Sequence, residues 1–265
     1  MASEQSTNQS VEKAASVLAA FLDGRALRVS DVAKYAGLGQ STASRLLATL
    51  ESLEYVERDP ASNLYRLGPA LLTLAGVAIN QHPVHREARQ AAQLLAGSLG
   101  LGVNVAVRHG SSLFYLCNFE GRLAPKSFTL MGQRNPLHAT GIGKCLLLAL
   151  TPAERRELLP DLHRYTPRTI CDHDELDAAL DLAAHRGYAT EVEELALGRS
   201  CVAAPILDQS GSIVAALSIS GPLSALGLAD GEPELASTVI EVADSISVGL
   251  GYLGPRHAPA SQYHP

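Results

Sequence analysis

The chain has 265 residues, of which 46% are hydrophobic and 18% are charged, and its formal net charge is -6. This composition supports one large or two ordinary folded domains and argues against global disorder. The acidic balance argues against a protein covered in positive charge for non-specific nucleic-acid binding, although a site built from a few placed arginines remains compatible with it.

No segment predicts export or membrane insertion. The N-terminal sequence MASEQSTNQS lacks the apolar core of a signal peptide, and the longest apolar runs, such as 145–150, are too short to span a bilayer. The cysteines are widely spaced and form no Cys-x-x-Cys pair, which is typical of reduced thiols. We therefore expect a cytoplasmic protein that does not associate with a membrane.

The first two predicted helices are short. Apolar residues recur at helical spacing from Val11 to Phe21, with Ser10 as the predicted N-cap. Ser30 is predicted to cap a second helix that ends at Gly37. A helix of this length that ends at a glycine favours a tight turn into the next element.

The second and third predicted helices have the spacing of a helix-turn-helix. Ala33 allows the helices to approach closely, and Gly37 suits a left-handed turn. Ala43 and Leu46 supply the inner face of a third helix, predicted at 40–53, and the leucines at 46, 47, 50 and 53 lie on one face of it. The polar residues of this region then face outward, where their types can bond phosphates and base edges. These candidate DNA-binding residues are Ser30, Gln40, Ser41, Thr42, Ser44, Arg45 and Thr49.

A predicted β-hairpin follows the third helix and separates a DNA-binding interpretation from an ordinary pair of packed helices. The segment YVERDPASNLYRLG places two β-prone runs around the turn residues 59–63. Arg58 and Arg66 flank the tip and are candidate contacts to the DNA backbone. Because a helix-turn-helix followed by such a wing is a winged-helix arrangement, the combination favours DNA binding.

The remainder of the chain alternates helices and strands. A connecting helix is predicted at 69–79, and the best linker candidate is 81–83. An antiparallel sheet with helices packed on it, an α+β sensor-type domain, is the predicted fold. Further helices are predicted at 84–99, 141–150, 152–159, 176–186 and 232–250, and strand pairs in VNVAVRHG with SLFYLCNF and in CVAAPILD with SIVAALSIS.

Three motifs suggest other chemistry, and each lacks the pattern that the chemistry requires. The glycine-rich segment HATGIGK, 138–144, begins with His138 where a P-loop needs Gly, and it is followed by Cys145 where a P-loop needs Ser or Thr. Cys171 and His173 match no zinc spacing. Cys201 has no nucleophile elbow around it. We predict no cofactor, no metal and no enzymatic activity; an enzyme acting through the second domain is the alternative function.

Five segments together resemble the IclR family of bacterial transcription regulators. They are SVEKAASVLAAF, VSDVAKYAGLGQSTASRLLATLESLEYVERDPASNLYRLG, NPLHATGIGKCLLLAL, YTPRTI and RGYATEVEELALGRSCVAAPILDQSGSIVAALSISGP. The resemblance implies a winged helix-turn-helix at 9–68, a linker helix at 69–82 and a GAF-like effector-binding domain with an antiparallel sheet at 83–252. The tail at 253–265, which is rich in Pro and His, is expected to be disordered. It further implies a homodimer, often paired into a tetramer, that binds palindromic double-stranded operator DNA and a small organic effector.

The same resemblance implies an effector pocket. Its residues are Asn135, Gly141, Ile142, Glu191, Cys201, Ser218 and Ser220. Ser218 and Ser220 share one face of a predicted strand, and the helix beginning at Gly141 offers backbone N–H groups, so the site suits a small carboxylate. Glu191, where the family usually has Asp or Ser, would repel an anion unless it is protonated or bonds a ligand hydroxyl. Of the carboxylates at 191, 193 and 194, we expect one to turn inward and the others to be solvated.

Overall fold

The computed structural model describes residues 8–124 and 129–254. The chain divides into two compact units, 1–79 and 80–265. The predicted disordered tail lies outside the described residues from 255 onward.

The first unit contains the predicted helices and hairpin. Its elements are α1 (Gln9–Ala19), α2 (Val29–Tyr35), α3 (Gln40–Ser52), β1 (Val56–Arg58) and β2 (Tyr65–Leu67), followed by α4 (Pro69–Gln81), which leads into the second unit. β1 and β2 pair antiparallel, with Glu57 opposite Arg66. Asn63, in the connecting turn, has φ 59°, a left-handed conformation that asparagine tolerates better than most residues.

Both predicted N-caps are wrong. Asn8 caps α1, and its Oδ1 accepts the N–H of Ser10 at 3.1 Å. Arg28 stands at the N-cap of α2, where its own N–H donates to Asp31 Oδ2 at 3.1 Å, and Ser30 lies inside the helix on its exposed side. For α1, asparagine and serine cap helices almost equally well, so residue type alone could not choose between Asn8 and Ser10. For α2, arginine is not a preferred cap residue, so no residue preference pointed to Arg28.

A small apolar core holds the first unit together. Its buried members are Val17, Ala20, Phe21, Val32, Leu47, Leu50, Val56 and Tyr65. Ala43 is also fully buried on the inner face of α3, and Leu46 packs against the core at its edge. Leu53, predicted on the same face, is instead 55% exposed, because α3 ends at Ser52 and the backbone no longer follows the helical repeat.

The second unit is built on a six-stranded antiparallel sheet in the order β5-β4-β3-β8-β7-β6. Its elements are α5 (Pro83–Leu99), β3 (Gly102–His109), β4 (Ser112–Phe119), β5 (Arg134–Pro136), α6 (Gly141–Leu147), α7 (Pro152–Leu158), α8 (His173–Arg186), β6 (Ala189–Val192), β7 (Arg199–Leu207), β8 (Ile213–Pro222), α9 (Leu223–Leu226) and α10 (Leu228–Gly249). Both predicted strand pairs are present as β3–β4 and β7–β8. The edge strands β5 and β6 escaped prediction because strands this short carry too little alternation to detect.

Helices cover both faces of this sheet. The adjacent helices α5 and α10 pack on one face, and α6, backed by α8, packs on the other. On the α6 face the buried cluster includes Leu113, Leu146, Leu176 and Leu180. The start of α6 therefore lies directly against the sheet, where it forms one side of a cavity.

Candidate functional site

The outward face of α3 has the composition predicted for a DNA-reading surface. Gln40, Ser41, Ser44, Arg45 and Thr49 are exposed, and Thr42 is half-buried. Gly39 stands at the N-cap and provides no side-chain hydrogen bond, so the first N–H groups of α3 are left for an external acceptor such as a phosphate. Polar side chains and free donors thus share one surface.

Two side chains on this face differ in their freedom. Arg45 has no ion-pair partner in the described part of the chain, so its guanidinium is available for bidentate contact with a guanine edge. The hydroxyl of Thr49 donates back to the carbonyl oxygen of Arg45 at 3.1 Å. Thr49 therefore has less freedom to bond a base or a phosphate than its exposure alone indicates.

The hairpin arginines are exposed but already engaged. Arg58 Nη2 donates to Asn63 Oδ1 at 2.6 Å, and its guanidinium lies 5.7 Å from the centroid of the Tyr65 ring. Arg66 Nε donates to Glu57 Oε1 at 2.6 Å across the two strands. Glu57 thus offsets the positive charge that Arg66 would otherwise present to a phosphate.

The pairing of Glu57 with Arg66 can be tested by changing either residue. We expect Glu57→Gln to strengthen binding to all DNA sequences alike and to steepen the dependence of affinity on salt, because it frees one cation for a phosphate. Arg66→Ala should weaken binding uniformly and reduce the salt slope by about one. Fluorescence anisotropy titrations across a salt series measure both slopes. An effect confined to one sequence would contradict a backbone role for the hairpin.

A cavity of about 600 Å³ opens between the α6 face of the sheet and the start of α6. All of the residues predicted for the effector pocket line it: Asn135, Gly141, Ile142, Glu191, Cys201, Ser218 and Ser220. Other residues that line the cavity were not predicted, among them Asn104, Tyr115, Thr140, Leu195 and Arg199. They come from separate strands and loops, and no local motif marks them.

Glycine is required where α6 meets the sheet. A Cβ on Gly141 would lie 2.7 Å from Cys201 Sγ, and a Cβ on Gly143 would lie 2.1 Å from the carbonyl oxygen of Leu137. Thr140 caps the helix, since its Oγ1 accepts the N–H of Gly143 at 3.1 Å. The glycines of HATGIGK therefore serve helix packing, which brings the start of α6 to the cavity wall.

Glu191 is the acidic group of the cavity. It is 6% exposed, and its Oε1 accepts the N–H groups of Glu194 at 2.6 Å and Leu195 at 3.2 Å. Burial raises the pKa of Glu191 against the opposing effect of these N–H groups. The protonated form is thereby more accessible than in water, which reduces the repulsion of an anionic ligand.

The expectation that one of the neighbouring carboxylates turns inward is wrong, because two do. Glu194 is buried and forms an ion pair with Lys144 Nζ at 2.5 Å. Lys144 Nζ also donates to the carbonyl oxygen of Thr190 at 3.1 Å. Glu193 turns away with φ 58° and pairs with Arg168 at 3.1 Å. The ion pair with Glu194 ties α6 to the segment that carries Glu191.

Cationic and neutral donors complete the cavity. Arg199 is half-buried in its lining and has no ion-pair partner in 8–124 or 129–254. Arg134 is exposed and lies 6.0 Å from the centroid of the Phe114 ring. The Tyr115 hydroxyl accepts Asn135 Nδ2 at 3.1 Å, and burial raises the pKa of Tyr115 to about 12. The phenol therefore keeps its proton.

The residues that suggested other chemistry have local structural roles. The described residues contain no group of three or more His, Cys, Asp and Glu side chains that could hold a metal ion. Asp172, between Cys171 and the start of α8, instead caps that helix by accepting the N–H groups of Asp174 and Glu175. Burial raises the pKa of the Cys201 thiol well above its usual value, which disfavours a thiolate nucleophile.

Two family descriptions match the chain and together cover both units. Residues 10–60 match the IclR helix-turn-helix domain, and residues 76–248 match the bacterial transcriptional regulator IclR C-terminal domain. Among the described residues, no helix has the length and apolar character needed to cross a bilayer. The first match contains the exposed face of α3, and the second contains the residues that line the cavity.

Individual proteins resemble the chain over most of its length. The glycerol operon regulatory protein of Streptomyces coelicolor is 35% identical over 92% of this chain and 96% of its own. The structure of an IclR transcriptional regulator from Alicyclobacillus acidocaldarius superposes with a TM-score of 0.80 at 27% identity, covering 92% of this chain and 100% of that one. An IclR homologue from Microbacterium hydrocarbonoxydans, complexed with 4-hydroxybenzoate, has a TM-score of 0.80 at 25% identity, covering 91% and 99%.

Proposed function

Because the chain belongs to the IclR family of ligand-responsive bacterial transcription regulators, and is a DNA-binding regulator rather than an enzyme, we propose that it acts on a palindromic double-stranded operator as a homodimer that can pair into a tetramer. In this proposal α3 enters the major groove, and the β1–β2 hairpin lies along the DNA backbone. Two subunits read half-sites that are about one helical turn or more apart.

The exposed polar face of α3 carries the DNA-binding proposal. Residues 1–68 contain seven basic and eight acidic side chains, so this unit brings little general attraction to DNA. Specific binding then depends on a few aimed groups, with Arg45 and Gln40 as base readers and the start of α3 as a phosphate site. We expect weak non-specific binding and a strong requirement for both half-sites.

Exposed apolar side chains on α4 support the homodimer. α4 has no buried residue, and Leu72 is 77% exposed, with Leu74 and Val77 also exposed. An apolar helix surface of this kind is more stable when covered, and a second copy of the chain is the occupant that a palindromic operator requires.

A charge on this helix should therefore weaken the dimer. We expect Leu72→Glu to shift the protein toward monomer and to lower operator affinity, because the carboxylate would be buried in the apolar interface. Sedimentation velocity measures the shift. Leu182→Glu, which adds the same charge at an exposed leucine on α8, is the control and should leave the sedimentation unchanged. A dimer equally stable in both variants would place the interface elsewhere.

We propose that the effector is a small organic carboxylate bound in the cavity. Three groups in the cavity can bond a carboxylate: Arg199, the N–H groups at the start of α6 and the serine pair on β8. Glu191 can accept a hydrogen bond from a ligand hydroxyl. The homologue from Microbacterium hydrocarbonoxydans is complexed with 4-hydroxybenzoate, which carries both a carboxylate and a hydroxyl. This supports a ligand class with a carboxylate at one end and a hydroxyl at the other.

The effector acts in this proposal by shifting a population. It binds one arrangement of the dimer more tightly than another, and α4 transmits the difference to the DNA-reading units. A ligand with equal affinity for both arrangements would change nothing.

One experiment tests both parts of the proposed function. The full chain is used to retain fragments of genomic DNA from its source organism, and the retained sequences are examined for a palindrome. Gel-shift titrations on that fragment then measure affinity across a salt series with and without 4-hydroxybenzoate. Retention of random DNA without a shared palindrome would contradict the operator proposal. Turnover of small esters or acids by a protein that ignores DNA would contradict the whole assignment.

A further inference from the structure

A chain of side-chain hydrogen bonds crosses three strands on the cavity side of the sheet. The N–H of Leu130 donates to Asn118 Oδ1 at 3.0 Å, and Asn118 Nδ2 donates to Asn104 Oδ1 at 2.8 Å. Asn104 Nδ2 then donates to Ser220 Oγ at 3.0 Å and lies 3.4 Å from Ser218 Oγ. We call these linked groups the asparagine relay.

The backbone group at one end sets the direction of the relay. The N–H of Leu130 can only donate, so Asn118 must turn its carbonyl oxygen toward it and its NH₂ group toward Asn104. Asn104 in turn accepts with its carbonyl oxygen and donates with its NH₂ group to the serines. Each serine oxygen therefore accepts from Asn104, and each hydroxyl proton is left to point elsewhere.

The cavity is where these protons can find an acceptor. Ser220 Oγ makes only a long 3.5 Å contact with the carbonyl oxygen of Gly102. Within the described residues Ser218 Oγ donates to no acceptor. Both serines and Asn104 line the cavity, whereas Asn118, on the neighbouring strand β4, does not. The relay thus turns two hydroxyl donors toward the cavity through Asn118, a residue that does not line the cavity.

We propose that the asparagine relay turns both serine hydroxyl protons toward the cavity, so that this wall favours an anionic carboxylate over a neutral amide, and that Asn104 and Asn118 are positioning residues for the effector. A carboxylate only accepts and suits such a wall, whereas a carboxamide turns donors of its own toward it. The inference rests on the proposed function for the location of the effector site.

The surroundings of the relay agree with this polarity. Arg199 adds a cationic donor to the same cavity. Glu191, Cys201 and Ser220 lie opposite one another on β6, β7 and β8, so Glu191 is two strands, or about 10 Å, from Ser220. A carboxylate at the serines is therefore kept apart from the acidic group of the cavity.

Asn118→Asp reverses the direction of the hydrogen bonds in the relay without replacing any residue that lines the cavity. The new carboxylate still accepts the N–H of Leu130 but has no group to donate to Asn104. Asn104 then turns its NH₂ group to that carboxylate and its carbonyl oxygen to the serines, whose protons leave the cavity. We expect the affinity for benzoate to fall about tenfold or more relative to the affinity for benzamide, the loss of at least one charge-assisted hydrogen bond.

Calorimetric titration of the full chain with benzoate and benzamide measures this selectivity ratio, and two controls separate the relay from simple charge repulsion. In a Ser218→Ala/Ser220→Ala background, Asn118→Asp should cost nothing further if it acts through the hydroxyls, whereas charge repulsion would persist. Gln209→Glu adds the same charge at an exposed residue of the turn between β7 and β8, which is not among the residues that line the cavity, and should retain the preference for benzoate. The double alanine variant alone should also lose the preference, which keeps the test decisive if Asn118→Asp does not fold.

The outcomes distinguish the relay from the proposed function. A wild-type preference for benzoate that survives Asn118→Asp would overturn the relay and leave a carboxylate effector standing. A wild-type protein without that preference, including one that binds neither compound, would overturn both the relay and the carboxylate. Operator binding in the gel-shift titration would then still decide the DNA-binding proposal.

Discussion

Replacing Arg45 with alanine should cost about 1–3 kcal/mol of operator affinity at each half-site and relax base preference at one position. Arg45 is exposed on the outward face of α3, and it has no ion-pair partner in the described residues that would compete with DNA. Because both subunits carry the change, its effect on the dimer is counted twice. Competition binding against operator variants with each base replaced in turn measures the affinity and the preference.

Arg45→Lys is the matched control for this prediction. It keeps the positive charge but loses the planar fork that bonds one guanine edge through two donors. We expect it to retain the salt dependence of the wild type and to lose base preference much as alanine does. Unchanged preference in both variants would remove Arg45 from the base-reading surface.

Ser220→Leu should abolish the effector response and leave operator binding intact. The serine is half-buried in the cavity wall on β8, which lies between β3 and β7. Leucine would fill the cavity, remove one hydroxyl donor and leave the NH₂ group of Asn104 without its nearer acceptor. We expect that adding effector no longer releases the variant from the operator. Anisotropy at a fixed operator concentration measures this release.

Two further variants decide what a loss of response means. Ser220→Ala removes only the hydroxyl and should shift the response to about tenfold higher effector concentration. Ser237→Leu makes the same large change at an exposed serine on α10 and should respond like the wild type. A Ser220→Leu protein that still responds would place the effector site elsewhere.

The helices and the hairpin of the first unit follow from local sequence pattern. Periodic apolar residues predict α1 and α3, and the turn residues between β1 and β2 predict the hairpin, because both kinds of signal depend on neighbours a few positions apart. Helix ends are less certain, as the wrong caps at Ser10 and Ser30 illustrate. Leu53 was misplaced for the same reason, since a periodic pattern does not indicate where the helix stops.

The members of the cavity were predicted through resemblance, and their interactions were not. The motifs placed Glu191, Cys201, Ser218 and Ser220 in one pocket, and the structure brings these residues to one cavity. No sequence signal indicated that Glu194 would be buried, because its countercharge, Lys144, comes from a helix 50 positions earlier. Effector binding by these residues stays a prediction until the titrations above are made.

The sequence by itself determined most of the helices, the hairpin and two strand pairs, which face of α3 is polar and seven of the residues that line the cavity. Only the tertiary structure decided how those side chains are used. It pairs Glu57 with Arg66 across the hairpin and joins Asn104 to Ser220 over 116 positions. Hydrogen-bond direction and charge neutralisation depend on which atoms meet in space, and that meeting is set by sheet register and helix packing, over distances along the chain that no local pattern spans.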